Sequence, residues 1–201
     1  MMGQGMNRRP GQSNLLRGVL LICRGQARGF ADIGSVPDAF LASLAPMIAF
    51  PLVGCALMAT EGMVAEGVTD FLASLVAILA PPVIAFSLAK RWGKLAGWLR
   101  FATAFNWCQW VLPVLGIPLV VLGSAMVQAG LPTGPVVAGL CALLLAYAFW
   151  LHWFMARHAL ALGRLRALLM VVIMNVTTLI LVGGPQIALM LANGQIGGAG
   201  S

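Results

Sequence analysis

FATAFNWCQWVLPVLGIPLVVLGSAMV, residues 101–127, is the stretch that decides how this chain folds. It starts just after Arg100 and contains no Asp, Glu, Lys or Arg. Crossing about 30 Å of bilayer hydrocarbon takes about 20 apolar residues at about 1.5 Å of rise each, and this run supplies them. A helix apolar on every side has no place on the surface of a water-soluble domain. Pro113 and Pro118 would argue against a helix in water. In a membrane bundle neighbouring helices re-satisfy the freed carbonyls, so the run predicts a kinked transmembrane span.

Four other runs read the same way. With the first they give spans over about 39–60, 71–89, 101–127, 135–156 and 167–191. Prolines recur in them, at Pro46 and Pro51, at Pro81 and Pro82, and in Gly183-Gly184-Pro185. Ser35-Val36-Pro37-Asp38 opens the first span as a capping pattern with proline in the tolerated first turn. The expected fold is all-α, a polytopic transmembrane helical bundle of five spans over 38–192. An N-terminal segment, 1–37, precedes it. A glycine-rich, uncharged tail, 193–201, follows it and is expected to be flexible.

Composition points the same way. The chain has 201 residues, 61% hydrophobic and 8% charged, with a mean hydropathy of +0.96. Soluble domains carry about 25% charged residues, and a single globular core of this length buries only about 70% of its chain. The length leaves no room for a separate soluble catalytic domain.

Charge placement sets the expected orientation. Every Lys and Arg falls in one of three alternate segments. Arg8, Arg9, Arg17, Arg24 and Arg28 precede the first span. Lys90, Arg91, Lys94 and Arg100 separate the second from the third, and Arg157, Arg164 and Arg166 separate the fourth from the fifth. The first connection carries only Glu61, Glu66 and Asp70. Cytoplasmic loops hold the basic excess. The expected topology is therefore N-terminus in the cytoplasm and C-terminus outside, in a bacterial inner (plasma) membrane. The net charge of +7 is then topological, and no nucleic-acid partner is expected.

The apolar patch Leu15 to Cys23 is too short for a cleavable leader and is broken by Arg17. Leu15, Leu16, Val19, Leu20 and Cys23 recur at helical spacing, with Arg17, Arg24 and Arg28 toward the other side. This predicts an amphipathic helix in the cytoplasmic interface, its arginines toward anionic lipid. Trp92, Trp98, Trp150 and Trp153 sit near the same boundary, as in an aromatic belt.

No ionisable residue falls in the central part of a span, which argues against ion-coupled transport. Uncharged polar residues do occur there. Thr103, Asn106, Gln109, Asn175 and Thr178 form the candidate intramembrane polar cluster. An amide left unpaired in hydrocarbon is costly, so these groups are expected to face the bundle and bond across helices. Asn106 lies six residues past Arg100 and Asn175 nine past Arg166. Spans three and five are therefore expected to pair through Asn106, Gln109 and Asn175.

Other chemistry is not assembled by the sequence. His152 and His158 point about 240° apart on one helix and read as interfacial polar residues. Ser124 lies at the opposite end from both histidines, beyond the reach of a dyad. Cys23, Cys55, Cys108 and Cys141 are scattered singly, without ligand spacing. No catalytic, cofactor or metal site is expected, and the chain reads as a non-enzyme. Ala138, Ala142 and Ala146 make a small-residue stripe that suits close packing inside the bundle or between protomers.

Several features together resemble the Yip1-like membrane proteins, in particular small bacterial members without an assigned function. They are the arginine-bearing lead from Leu15 to Arg28, Gly29-Phe30 followed by Ser35-Val36-Pro37-Asp38-Ala39-Phe40, Asn106-Trp107, and Trp150 through Ala156-Arg157. The resemblance implies five spans entered from the cytoplasm and carries over no catalytic residue. Eukaryotic relatives are implicated in vesicle trafficking with small-GTPase partners, and the long soluble N-terminal region of many relatives is missing here. Two roles are left. One is a non-catalytic scaffold that binds a membrane-protein partner, a second copy of itself or lipid. The other is a small transporter or permease subunit for an uncharged or lipid-like solute.

Overall fold

The computed structural model describes residues 14–192. Arg8 and Arg9 and the expected tail, 193–201, lie outside them. After a short helix α1 (Leu15–Cys23), the chain forms α2 (Pro37–Thr60), α3 (Val64–Arg91), α4 (Trp98–Gln109), α5 (Val111–Gln128), α6 (Thr133–Ala159) and α7 (Arg164–Ala192). Among the described residues there is no strand. Five helical stretches are long and apolar enough to cross a membrane: α2, α3, the pair α4 and α5 with its lead-in, α6, and α7. This is a multi-pass membrane protein in contact with a lipid bilayer.

Most helices are longer than the expected spans. α3 starts at Val64, so Glu66 and Asp70 belong to its first turns instead of a loop. At α2 the cap is Val36 in extended backbone, with Pro37 and Asp38 in the first turn and no side-chain cap bond. The third span is two helices, and the break falls at Trp110. Pro113 lacks the N–H that would bond the Gln109 carbonyl, and its ring crowds that carbonyl. The first helix therefore ends at Gln109. Pro46, Pro51, Pro81, Pro82, Pro118 and Pro185 lie inside continuous helices.

Short turns make successive spans antiparallel. The turns after α1, α2, α3 and α5 each close with a pair of reversed backbone bonds around one left-handed residue, and the turn after α6 closes around another with Leu162 N–H to the Arg157 carbonyl at 3.1 Å. That residue is glycine in four turns and Ala161, at φ 49°, in the fifth.

Alternation gathers every described basic residue at one end of the bundle, here the basic end. The core is there too. Ile22 and Phe30 from the N-terminal segment, Ala85 and Ala89 of α3, Phe101 and Phe105 of α4, Leu151 and Met155 of α6, and Met170 and Met174 of α7 form one buried cluster. At the opposite end the helices present apolar side chains outward, among them Val53, Leu57, Ile117, Val120, Leu145 and Leu179. In lipid that arrangement carries no hydrophobic penalty.

The segment Leu15–Cys23 forms the helix α1. Gly18, Val19 and Ile22 turn inward against α4 and α6, whereas Leu16 and Leu20 face away from the bundle. Gly18 and Gly29 explain the tight return of the chain. A Cβ on Gly18 would lie 3.0 Å from the Gly29 carbonyl oxygen and 2.9 Å from the Asp32 Cβ. The Tyr147 hydroxyl of α6 donates to the Cys23 carbonyl at 3.0 Å and pins the end of α1.

Candidate functional site

Four polar side chains are buried among the described residues: Ser43, Thr103, Asn106 and His152. They sit in one layer near the basic end, on α2, α4 and α6. Their depth follows from the sequence. Ser43 is five residues past Asp38, Asn106 six past Arg100, and His152 five before Arg157. At about 1.5 Å per residue each lies about 8–9 Å inside the charged boundary.

Asn106 Nδ2 donates to Ser43 Oγ at 2.9 Å, a bond between spans three and one. Ser43 Oγ in turn donates to the Phe40 carbonyl of its own helix at 2.6 Å. Gln109 Nε2 lies 3.4 Å from His152 Nε2, joining spans three and four. An amide nitrogen only donates, so His152 accepts at Nε2 and carries its proton on Nδ1. Asn106 Oδ1, His152 Nδ1 and Trp110 Nε1 are buried without a partner among the described residues.

The expected pairing of spans three and five through Asn106, Gln109 and Asn175 is not formed. Asn175 Nδ2 donates to the Val171 carbonyl at 2.8 Å, one turn back on its own helix. Thr103 and Thr178 do the same, to Leu99 and Met174, each at 2.8 Å. Hydroxyls and short amides can return to the preceding turn of their own helix, so depth alone does not force an interhelical bond. α7 packs chiefly on α3 and α6. Asn106 and Gln109 do bond across helices as expected, to partners on α2 and α6. Sequence reasoning missed Ser43 and set His152 at the interface, where the structure buries it against Phe105, with ring centroids 4.7 Å apart. The shared depth of Ser43, Asn106 and His152 was the signal that could have linked them.

Aromatic residues brace the layer. Trp98 lies between Phe40 of α2 and Phe86 of α3, with centroids 5.4 and 5.1 Å away. Its Nε1 donates to the Pro82 carbonyl at 2.9 Å. One indole thus ties three spans together. Gly97, just before it, lets the chain run against the Ala159 carbonyl of α6, where a Cβ would collide with backbone.

The cysteines are not all solitary. The Cys23 thiol of α1 meets the Cys108 thiol of α4, which draws Cys23 below its ordinary range despite its burial, with the Tyr147 hydroxyl acting in the same direction. Ser124 is at the far end of the third span and donates to the Val120 carbonyl at 3.0 Å. Among the described residues, no three His, Cys, Asp or Glu side chains converge on a point that could hold a metal ion. The polar layer holds three spans in register, with Asn106 fully enclosed. No protein-family model matches the chain, no curated protein matches it, and no solved structure matches it.

Proposed function

We propose that this chain is a non-catalytic five-span protein of a bacterial inner membrane, similar to the Yip1-like group. Its N-terminus faces the cytoplasm, and it works by binding another membrane component along its loosely packed half. The observation that carries this reading is the contrast within the third span. α4 is buried from Phe101 to Asn106, whereas only Gly123 is buried in α5. An apolar groove of about 500 Å³ opens between α5 and α6, with Gly116, Val120, Gly123 and Leu140 among its walls. A surface of this shape gains from close packing against a partner helix or an ordered lipid chain. In a membrane such association is driven by van der Waals fit and small residues. The enclosed Asn106 favours this reading over a polar passage for solute.

Two measurements test it. A reporter active only in the cytoplasm should work when fused after Arg28, Lys94 or Arg164 and stay silent after Glu66 or at Ser201. Activity at Ser201 would overturn the orientation. A photo-crosslinking residue at Val120 should yield one discrete adduct in native membranes, and the same residue at Leu179, on α7, should not. A smear of bulk lipid adducts at both positions would remove the binding role. Selective flux of a small neutral solute in vesicles holding the purified protein would replace it with transport.

A further inference from the structure

A second groove, of about 700 Å³, lies at the basic end between α6 and α7, lined by Phe149, Trp150, Trp153, Arg164, Leu165 and Leu168. We propose that it is a site for one anionic phospholipid, the phosphate at its arginine rim and an acyl chain along its apolar wall. The inference rests on the reading that the basic end meets a headgroup layer.

Charge complementarity singles out this groove. Arg164 and Arg166 stand in the first turn of α7, which holds no acidic residue. Cations there oppose the positive end of the helix dipole. Of the two, Arg164 lines the groove, and Arg157 stands close by, its guanidinium 5.4 Å from the ring centroid of Trp153 in the groove wall. Among the described residues the one ion pair joins Arg17 to Asp32 at 3.9 Å, so no carboxylate neutralises these three arginines. The groove between α5 and α6 has no charged residue on its walls and makes no comparable demand.

The walls fit an amphiphile better than a free anion. Leu165 is 77% exposed and Leu168 42% exposed directly beside Arg164, with Phe149 and Trp150 opposite. Trp153 Nε1 donates to the Arg164 carbonyl at 3.1 Å, which fixes the rim residue against α6. A phosphate held at the rim places its acyl chain along these side chains. Inorganic phosphate would leave them uncovered.

The test uses the full chain, purified in neutral detergent and offered equal amounts of phosphatidylglycerol and phosphatidylcholine with the same acyl chains. Native mass spectrometry reads the lipid retained. Phosphatidylglycerol should be retained in preference, and Arg164→Gln should reduce that preference about fivefold, the effect of about 1 kcal/mol for one cation near a lipid surface. Leu168→Trp fills the groove, leaves every charge in place and should also reduce retention. Lys90→Gln with Arg91→Gln removes two charges elsewhere at the same end and should change little. Equal retention of both lipids, an equal loss from the Lys90 and Arg91 changes, or displacement by millimolar inorganic phosphate would each overturn the site. A reporter fused after Lys94 separates the two readings: if it is active while no lipid preference appears, the site alone is wrong, and if it is silent, the orientation itself is wrong.

Discussion

α4 and α5 belong to one uninterrupted apolar run, yet they behave as two kinds of helix. α4 lies at the basic end and is enclosed by α2, α3, α6 and the N-terminal segment. α5 packs on α6 and otherwise faces outward. The more apolar of the two, α5, is the less buried, because lipid and protein interior are equally apolar and hydropathy alone does not draw a helix inward. What differs is the means of cohesion. α4 carries Thr103, Asn106 and Gln109 and lies among aromatic rings, whereas α5 offers a polar side chain only near its far end. In a membrane, polar bonds and shape fit decide which half of a helix is held.

The largest expected effect compares a buried ring with an exposed side chain. Phe101 in α4 is 0% exposed, and Ile117 in α5 is 68% exposed. Phe101→Ala should cost about 3 kcal/mol or more through the cavity it leaves. Ile117→Ala should stay within about 0.5 kcal/mol. Thermal unfolding in one detergent measures both, and equal losses would mean that α5 is as tightly held as α4.

Next comes the polar layer. Asn106→Leu should cost about 1–2 kcal/mol, because it removes the bond to Ser43 and leaves that hydroxyl with only its own helix. The double change Ser43→Ala and Asn106→Leu should cost less than the sum of its parts. Asn175→Leu should cost less than Asn106→Leu, since its amide bonds within α7. In a background without the native cysteines, a pair at 43 and 106 should crosslink and a pair at 106 and 175 should not. The reverse pattern would restore the pairing of spans three and five.

The spans and their alternation were legible because they depend on length and charge spacing. The partner of Asn106 was not. Its depth could be counted from Arg100, which narrows the choice to a layer, but several polar groups share that layer. Ser43 and His152 lie at the same counted depth as Asn106, and the sequence reading took up only Asn175, a few residues deeper. Helix neighbours are set by side-chain fit over the whole basic end, including Trp98 against Phe40 and Phe86. The break at Trp110 was half legible: Pro113 announced a distortion, and the structure turned it into a division of the span.

Glycines give a smaller contrast of the same kind. At Gly97 a Cβ would strike the Ala159 backbone, and at Gly116 it would meet nothing within 4 Å. Gly97→Ala should destabilise by about 1–3 kcal/mol through overpacking. Gly116→Ala should be neutral, or stabilising by up to about 1 kcal/mol from helix propensity. A destabilising Gly116→Ala would mean that the groove wall is already in contact with a partner in the sample.

The smallest effect concerns strain in the turns. Ala161 joins α6 to α7 at the basic end with φ 49°, and Gly130 joins α5 to α6 at the other end with φ 95°. A residue with a Cβ in the left-handed region costs about 1–2 kcal/mol, and such strain persists only where surrounding structure enforces it. Leu160 and Leu162, on either side of Ala161, are 2% and 5% exposed, so their packing imposes the turn. Ala161 itself is exposed and loses no packing as glycine. Relief of strain should exceed the added freedom of the unfolded chain, leaving Ala161→Gly stabilising by about 0.5 kcal/mol. Gly130→Ala puts a Cβ on backbone at φ 95°, a conformation that L side chains rarely adopt, and should destabilise by about 1 kcal/mol. Opposite signs in the same unfolding measurement are the expected result. A loss of stability in Ala161→Gly would show that Leu160 and Leu162 do not hold that turn under strain.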